Sequence, residues 1–196
     1  MANTRDAGNR LWLLTRLGEV AAWRGQADQA EKHHREALGL GRDDGYLLAA
    51  WGDFLLDAGR PQDVLKQLAG WEPSDNLLVR LAEAEAAVKG PNAARLVQML
   101  DDRFTAARQR GDTTHQGEEA RYQLRLRGNA KEALRLAAEN YRVQREPRDA
   151  RILLEASIAA GDAAAAQVAR DWLGSSGFED ARLRALGEKS ALAARQ

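Results

Sequence analysis

Glycine recurs along this chain with a regular beat. Gly25, Gly59 and Gly128 each end one apolar periodic segment and precede another, and Gly161 does the same. Gly25 to Gly59 is 34 residues, Gly59 to Gly128 is 69, close to twice that, and Gly128 to Gly161 is 33. Gly90 marks a weaker turn inside the long interval. Glycine after a helix supplies the left-handed backbone that closes a helix C-terminus, and a period near 34 holds one helical hairpin. The chain therefore reads as a tandem array of helix pairs.

Composition agrees with that reading. Ala, Leu and Arg are the commonest of the 196 residues and Pro occurs 4 times, the balance expected of residues that lose little rotamer freedom in a helix. The class predicted is all-α. Cysteine is absent, which removes disulfides, thiolate metal sites and Cys nucleophiles together. The longest apolar stretch, Leu47 to Leu56, is interrupted by Gly52 and Asp53 and is too short to span a bilayer. The opening residues Met1-Ala-Asn-Thr-Arg-Asp lack the apolar core of a secretory leader. The cytoplasm is the default compartment expected, and the periplasm for a piece of an exported protein. The run Leu11-Trp12-Leu13-Leu14 begins almost at once, as if preceding residues covered it.

Within the period, small residues recur at fixed places. The first repeat shows Leu14, Leu17-Gly18, Ala21, Gly25, Ala30 and Ala37-Leu38; the second shows Trp51-Gly52, Leu55, Gly59-Arg60-Pro61 and Val64. A third carries Leu78, Leu81, Ala82, Ala86 and Lys89-Gly90-Pro91, and a fourth Ala120-Arg121, Leu124, Gly128-Asn129, Ala133-Leu134 and Ala137. A fifth has Ile152, Leu153, Leu154, Gly161-Asp162, Val168 and Trp172. This pattern resembles the tetratricopeptide repeat, whose first helix has a small residue at its eighth position and whose second has Ala at positions 20 and 27. It departs from the family in lacking Pro near position 32 in most repeats, and in placing His34 and Ala137 where an aromatic residue is usual. Other helical-hairpin arrays share the architecture; the 34-residue register of the first two repeats favours the tetratricopeptide form.

The resemblance implies a right-handed superhelical solenoid of about five hairpins, spanning residues 10–173, with repeats near 11–44, 45–75, 76–113, 114–147 and 148–173. Residues 1–9 would form an N-terminal extension and 174–196 a capping helix and tail. Gly90 to Gly128 is 38 residues, about one turn beyond the repeat, so the helix from Asn92 to Gln109 should be long. Leu173 to Gly177 reads as a loop, Ser176 and Glu179 have capping-box spacing, and a short helix from Phe178 to Leu186 should follow.

Function follows from the register. The family binds partners in its concave groove, and the matching positions here are Trp12, Thr15, Glu19, Ala22 and Trp23 in the first repeat and Tyr46, Ala49, Asp53 and Asp57 in the second. Trp23 and Tyr46 are expected as anchors with Glu19 and Asp53 as acidic partners, since rings give contact area at low entropy cost and carboxylates orient basic groups. His115, Glu118, Tyr122 and Arg125 share a face of a later helix and form a second polar candidate patch. The family's carboxylate-clamp subtype uses Lys and Asn where this chain has Thr15 and Glu19, so a basic or amphipathic peptide is expected instead.

Other classes have less behind them. His33 and His34 are neighbours on a helix, point about 100° apart and read as two partly exposed side chains on an outer face. No nucleophile, oxyanion donor or metal ligand set accompanies the polar patches, so an enzyme is not expected, and no cofactor is implied. Net charge is zero, but residues 43–102 carry a net of −6 and residues 103–151 a net of +5, which suggests weak self-association between opposite surfaces. The Arg-rich region 103–151 leaves nucleic-acid binding as an alternative, although Glu118, Glu119, Glu132, Glu139, Glu146 and Asp149 are interleaved at helical spacings. A small-ligand sensor is the other alternative.

Overall fold

The computed structural model describes residues 4–193, and among these it holds eleven helices and no strand. In order they are α1 (Thr4–Trp23), α2 (Ala27–Leu38), α3 (Gly45–Asp57), α4 (Pro61–Gln67), α5 (Asp75–Ala87), α6 (Ala93–Gln109), α7 (Gln116–Arg125), α8 (Ala130–Val143), α9 (Pro147–Ala160), α10 (Ala163–Ser176) and α11 (Ala181–Ala193). They fall into two compact units that divide between Pro91 and Asn92, inside the stretch 76–113 that the sequence presents as one repeat. α1 begins at Thr4, within the expected extension 1–9. Residues 1–3 of that extension and 194–196 of the expected tail lie outside the described residues.

The recurring glycines act through backbone conformation. Gly25, Gly59 and Gly161 have φ of 74°, 68° and 70°, which L side chains rarely adopt. After each, the next N–H reaches back five residues: Gln26 to the Ala21 carbonyl at 2.8 Å, Arg60 to Leu55 at 2.9 Å and Asp162 to Ser157 at 2.9 Å. This is the Schellman closure, which satisfies orphan carbonyls and turns the chain sharply enough for the next helix to fold back. Gly90 differs from the sequence expectation. There the left-handed residue is Lys89, φ 53°, and Gly90 lies against the Glu85 carboxylate, whose Oε2 would be 1.8 Å from a Cβ at this position and would have to move aside.

Helix starts are fixed by side chains. Asp44 accepts from the Leu47 N–H, Asn129 from Glu132 and Asp162 from Ala165, while Glu146 and Asp149 cap α9 reciprocally ahead of Pro147. At the C-terminal end the structure corrects the sequence reading. α10 continues through Leu173 to Ser176 instead of ending in a loop, and turns at Gly177, φ 64°. α11 then runs over residues 181–193, not 178–186, and packs on α9 and α10 with Leu183 buried. Its N-terminal N–H groups are accepted by Asp180, at 2.9 Å from both Arg182 and Leu183, in place of a Ser176–Glu179 box.

In the first unit α1 and α2 approach at Gly18. A Cβ there would come within 2.7 Å of the His34 ring, which is fully buried and tilted against Trp51 at 5.6 Å and Phe54 at 5.9 Å. His34 is therefore core, not outer face. Ala30, His34 and Ala37 form the inward stripe of α2, and the ring is the one large group on it. Neither ring nitrogen has a hydrogen-bond partner, and burial, aided by His33, pulls its pKa down to about 4.

α5 is tied to α3 by a buried cation. Arg80 is 3% exposed. Its Nε donates to the Ala49 carbonyl at 3.0 Å, Nη1 to the Asn76 carbonyl at 2.7 Å and Nη2 to Asp53 Oδ2 at 2.5 Å. Its stem lies over Gly52, where a Cβ would sit 3.3 Å from Arg80 Cδ.

The second unit packs α7 through α11 around Ala120, Ala133, Leu136, Ala137, Leu153 and Leu154. Phe104 of α6 meets the ring of Tyr122 at 5.4 Å between centroids.

Two stability predictions follow from these contacts. The unfolded chain takes up a proton at His34 near the ordinary imidazole pKa of about 6.5, whereas the folded chain does so only near 4. The contribution is therefore fully present above about 6.5 and is lost as pH falls toward 4, up to about 3 kcal/mol. Urea unfolding followed by tryptophan fluorescence should show a steeper loss of stability over this range in the wild type than in His34→Leu. Parallel pH profiles would contradict the buried neutral imidazole. Second, Arg80→Met should cost about 3 kcal/mol by leaving Asp53 and the Ala49 carbonyl without this donor. Removing the exposed Arg35 of the Arg35–Glu31 pair, 62% exposed, should cost less than about 1 kcal/mol; equal losses in denaturant unfolding would contradict the assignment.

Candidate functional site

The site with the most developed geometry lies in the first unit, where α1 faces the start of α3. The backbone there is set by the Asp44 cap, which starts α3 so that Tyr46 projects toward α1. The Tyr46 hydroxyl donates to Glu19, 2.8 Å from Oε1. Arg16 Nη1 donates to Glu19 Oε2 at 3.0 Å and to the Tyr46 hydroxyl. The Arg16 guanidinium lies 4.8 Å from the Tyr46 ring centroid and 6.0 Å from that of Trp12. Four side chains from two helices are thus held as one ordered set.

Beside this set is a cleft of about 230 Å³. Leu11 and Thr15 are buried in its wall, Trp12 and Tyr46 supply rings, and Arg16, Arg42, Asp43 and Asp44 supply charge. The Thr15 hydroxyl is occupied, donating to the Leu11 carbonyl at 2.8 Å. Trp12 is 59% exposed, so an indole stands at the mouth in water. Small-molecule sites enclose roughly 300–1,000 Å³. This cleft has room for one or two side chains of a larger partner.

The sequence-derived residues distribute as follows. Glu19 and Tyr46 are brought into contact. Asp53 belongs to the Arg80 network instead, and Trp23, half-buried at the last residue of α1, does not line the cleft. Tyr46 lines this cleft and Trp23 does not. Arg16 and the loop residues Arg42 and Asp43 were not legible as site residues. The Arg16–Glu19 spacing of three was the available signal, but such pairs are common on solvated helices.

In the second unit the expected patch separates. Tyr122 is fully buried, without a hydrogen-bond partner in good geometry for its hydroxyl; burial and the nearby Asp101 carboxylate push its pKa well up. It is packing against Phe104, not a contact residue. Arg125 donates to Glu155 at 2.7 Å, and Arg151 to the other oxygen at 2.7 Å. Burial opposes ionisation of Glu155, but the two guanidiniums hold its carboxyl below the usual range. His115 and Glu118 remain near each other at the surface, 4.0 Å apart, and His115 occupies the N-cap of α7. The Gln116 side-chain amide donates to Glu139 at 2.9 Å.

The arginines of 103–151 also show interleaved pairing. Arg135 contacts Glu132 and Glu139, Arg148 contacts Glu146, and Arg108 contacts Glu119. Among the described residues no group of three or more His, Asp or Glu is placed to hold a metal ion, and no helix is long and apolar enough to cross a membrane. No family model, no curated protein and no solved structure matches the chain.

Proposed function

We propose that the chain is a protein-interaction module of tetratricopeptide type, built of hairpins that stack within each unit. In this reading it takes an amphipathic segment of a partner protein on the α1–α3 side of the first unit. The role is recognition and not catalysis. The observation that carries it is Trp12, standing 59% exposed at the mouth of a cleft walled by Tyr46, Arg16 and Leu11. An indole held there gains contact area on binding at little entropic cost, and the ring–guanidinium–carboxylate set behind it is already ordered. In the tetratricopeptide register Trp12, Glu19 and Tyr46 also fall at groove positions.

The ligand chemistry shifts with the pairing. Glu19 is bonded by Arg16 and Tyr46, and Asp53 by Arg80, so a purely basic peptide gains less than unpaired carboxylates would offer. An apolar side chain on Trp12 and Tyr46, flanked by polar groups that meet Arg42 and Asp43, fits the cleft better. In this cleft Trp12 fills the anchor role expected of Trp23. Nucleic acid is less favoured, because the charge pairs of the second unit reduce the uncompensated positive charge that counterion release requires.

Selection of a displayed random-peptide library on the immobilised chain tests the reading. Enriched peptides should share an apolar residue with polar neighbours. Their affinity, read by fluorescence polarisation, should fall about tenfold or more in Trp12→Ala without a change in melting temperature. Equal affinity in the wild type, Trp12→Ala and Tyr46→Ala would refute the site.

A further inference from the structure

The cleft uses one side of α1, and a second side has an independent character. Among the described residues the exposed large apolar side chains are Trp12, Leu13, Leu17, Val143 and Val168, so three of the five lie on this helix. Leu11, Leu14, Thr15, Gly18 and Ala21 are its buried face. At about 100° per residue, Trp12, Arg16 and Glu19 lie on the cleft side, whereas Asp6, Arg10, Leu13, Leu17 and Val20, with Arg24 in the same register one residue past the helix end, fall within an arc of about 80° whose middle lies about 120° around the helix from the middle of the buried face. Of these six, Val20 is half-buried and the others are exposed.

Their spacing is four, three, four, three, four, that of the seam of a two-helix coiled coil, with apolar residues at three of its inner positions, Leu13, Leu17 and Val20. It also reads the same from both ends. In an antiparallel pairing centred between Leu13 and Leu17, each Leu13 meets the Leu17 of a second copy, and each Asp6 meets the opposite Arg24. Arg10 lies across from Val20, where its aliphatic stem covers the branched side chain. A parallel pairing would set Asp6 against Asp6 and Arg24 against Arg24. An isologous two-fold contact requires a patch that is complementary to itself, and this one is, with opposite charges at its ends and leucines at its centre.

We propose that this face of α1 is a self-association surface whose partner is α1 of a second copy of the chain, packed antiparallel. The contact is one helix pair with few apolar groups, so it is weak, with a Kd on the order of 100 μM. It does not depend on the peptide-binding reading, since the cleft and the seam occupy different sides of the helix and can fail separately.

Sedimentation velocity on the full chain, from about 10 μM to about 1 mM at low ionic strength, reads the result. The wild type should move from monomer to twice that mass. Leu13→Glu with Leu17→Glu should hold it monomeric with an unchanged circular dichroism spectrum, since both leucines are exposed, and Val168→Glu on α10 should dimerise as the wild type does. Asp6→Arg should weaken the dimer at least about threefold, and adding Arg24→Asp should restore it. A wild type that stays monomeric throughout, a leucine double variant that dimerises normally, dissociation by Val168→Glu, or a charge swap that restores nothing would each overturn the proposal.

Discussion

Helices of seven to twenty residues are marginal on their own in water, so the stability of each depends on the neighbour against which it closes. In the first unit that closure is a glycine notch filled by a ring. Gly18 lets α1 approach α2 until the His34 imidazole occupies the space a methyl group would need, and the ring in turn carries Trp51 and Phe54 of α3. Three helices are thus coupled through one side chain that has no hydrogen bond. The same device recurs with other fillings. Gly52 admits the stem of Arg80, and Gly117 on α7 faces Asn140, where a Cβ would be 3.2 Å from its amide nitrogen. Asn140 is itself buried and donates to Asp149 at 2.8 Å. Close packing around these contacts makes them sensitive to a single added carbon.

The helical class was legible because backbone signals are local. Gly25, Gly59 and Gly161 announce left-handed turns that close in the same way, and Asp44, Asn129 and Asp162 announce starts. What filled the notches was not legible. A histidine beside another histidine reads as surface, and only its place between Ala30 and Ala37 on the inward stripe indicates burial. Arg80 reads as one cation among many, because its three partners come from residues 49, 53 and 76, and the contacts to 49 and 53 cross between helices. The end of α10 is not legible in the sequence because Gly174, Ser175 and Ser176 are weak helix formers that α10 nevertheless includes.

The candidate site was half legible for the same reason. Register places Glu19 and Tyr46 toward one side, and they do meet, but register does not say which carboxylates are already partnered. Asp53 and Arg125 read as contact residues by their charge, yet each is engaged in an ion pair. Tyr122 reads as polar in the sequence, yet its ring area outweighs one hydroxyl and the side chain is buried. The cleft with its exposed indole depends on α1 being held in place through Gly18.

A double-mutant cycle at Gly18 and His34 tests that contact most directly. In the wild type Gly18→Ala should destabilise by about 2 kcal/mol, because the added methyl group and the imidazole cannot share the notch. In a His34→Ala background the same change should be neutral or stabilising by up to about 1 kcal/mol, the ordinary helix preference for Ala over Gly. An identical effect of Gly18→Ala in both backgrounds would show that ring and notch do not meet, and the close α1–α2 packing on which the cleft rests would be wrong.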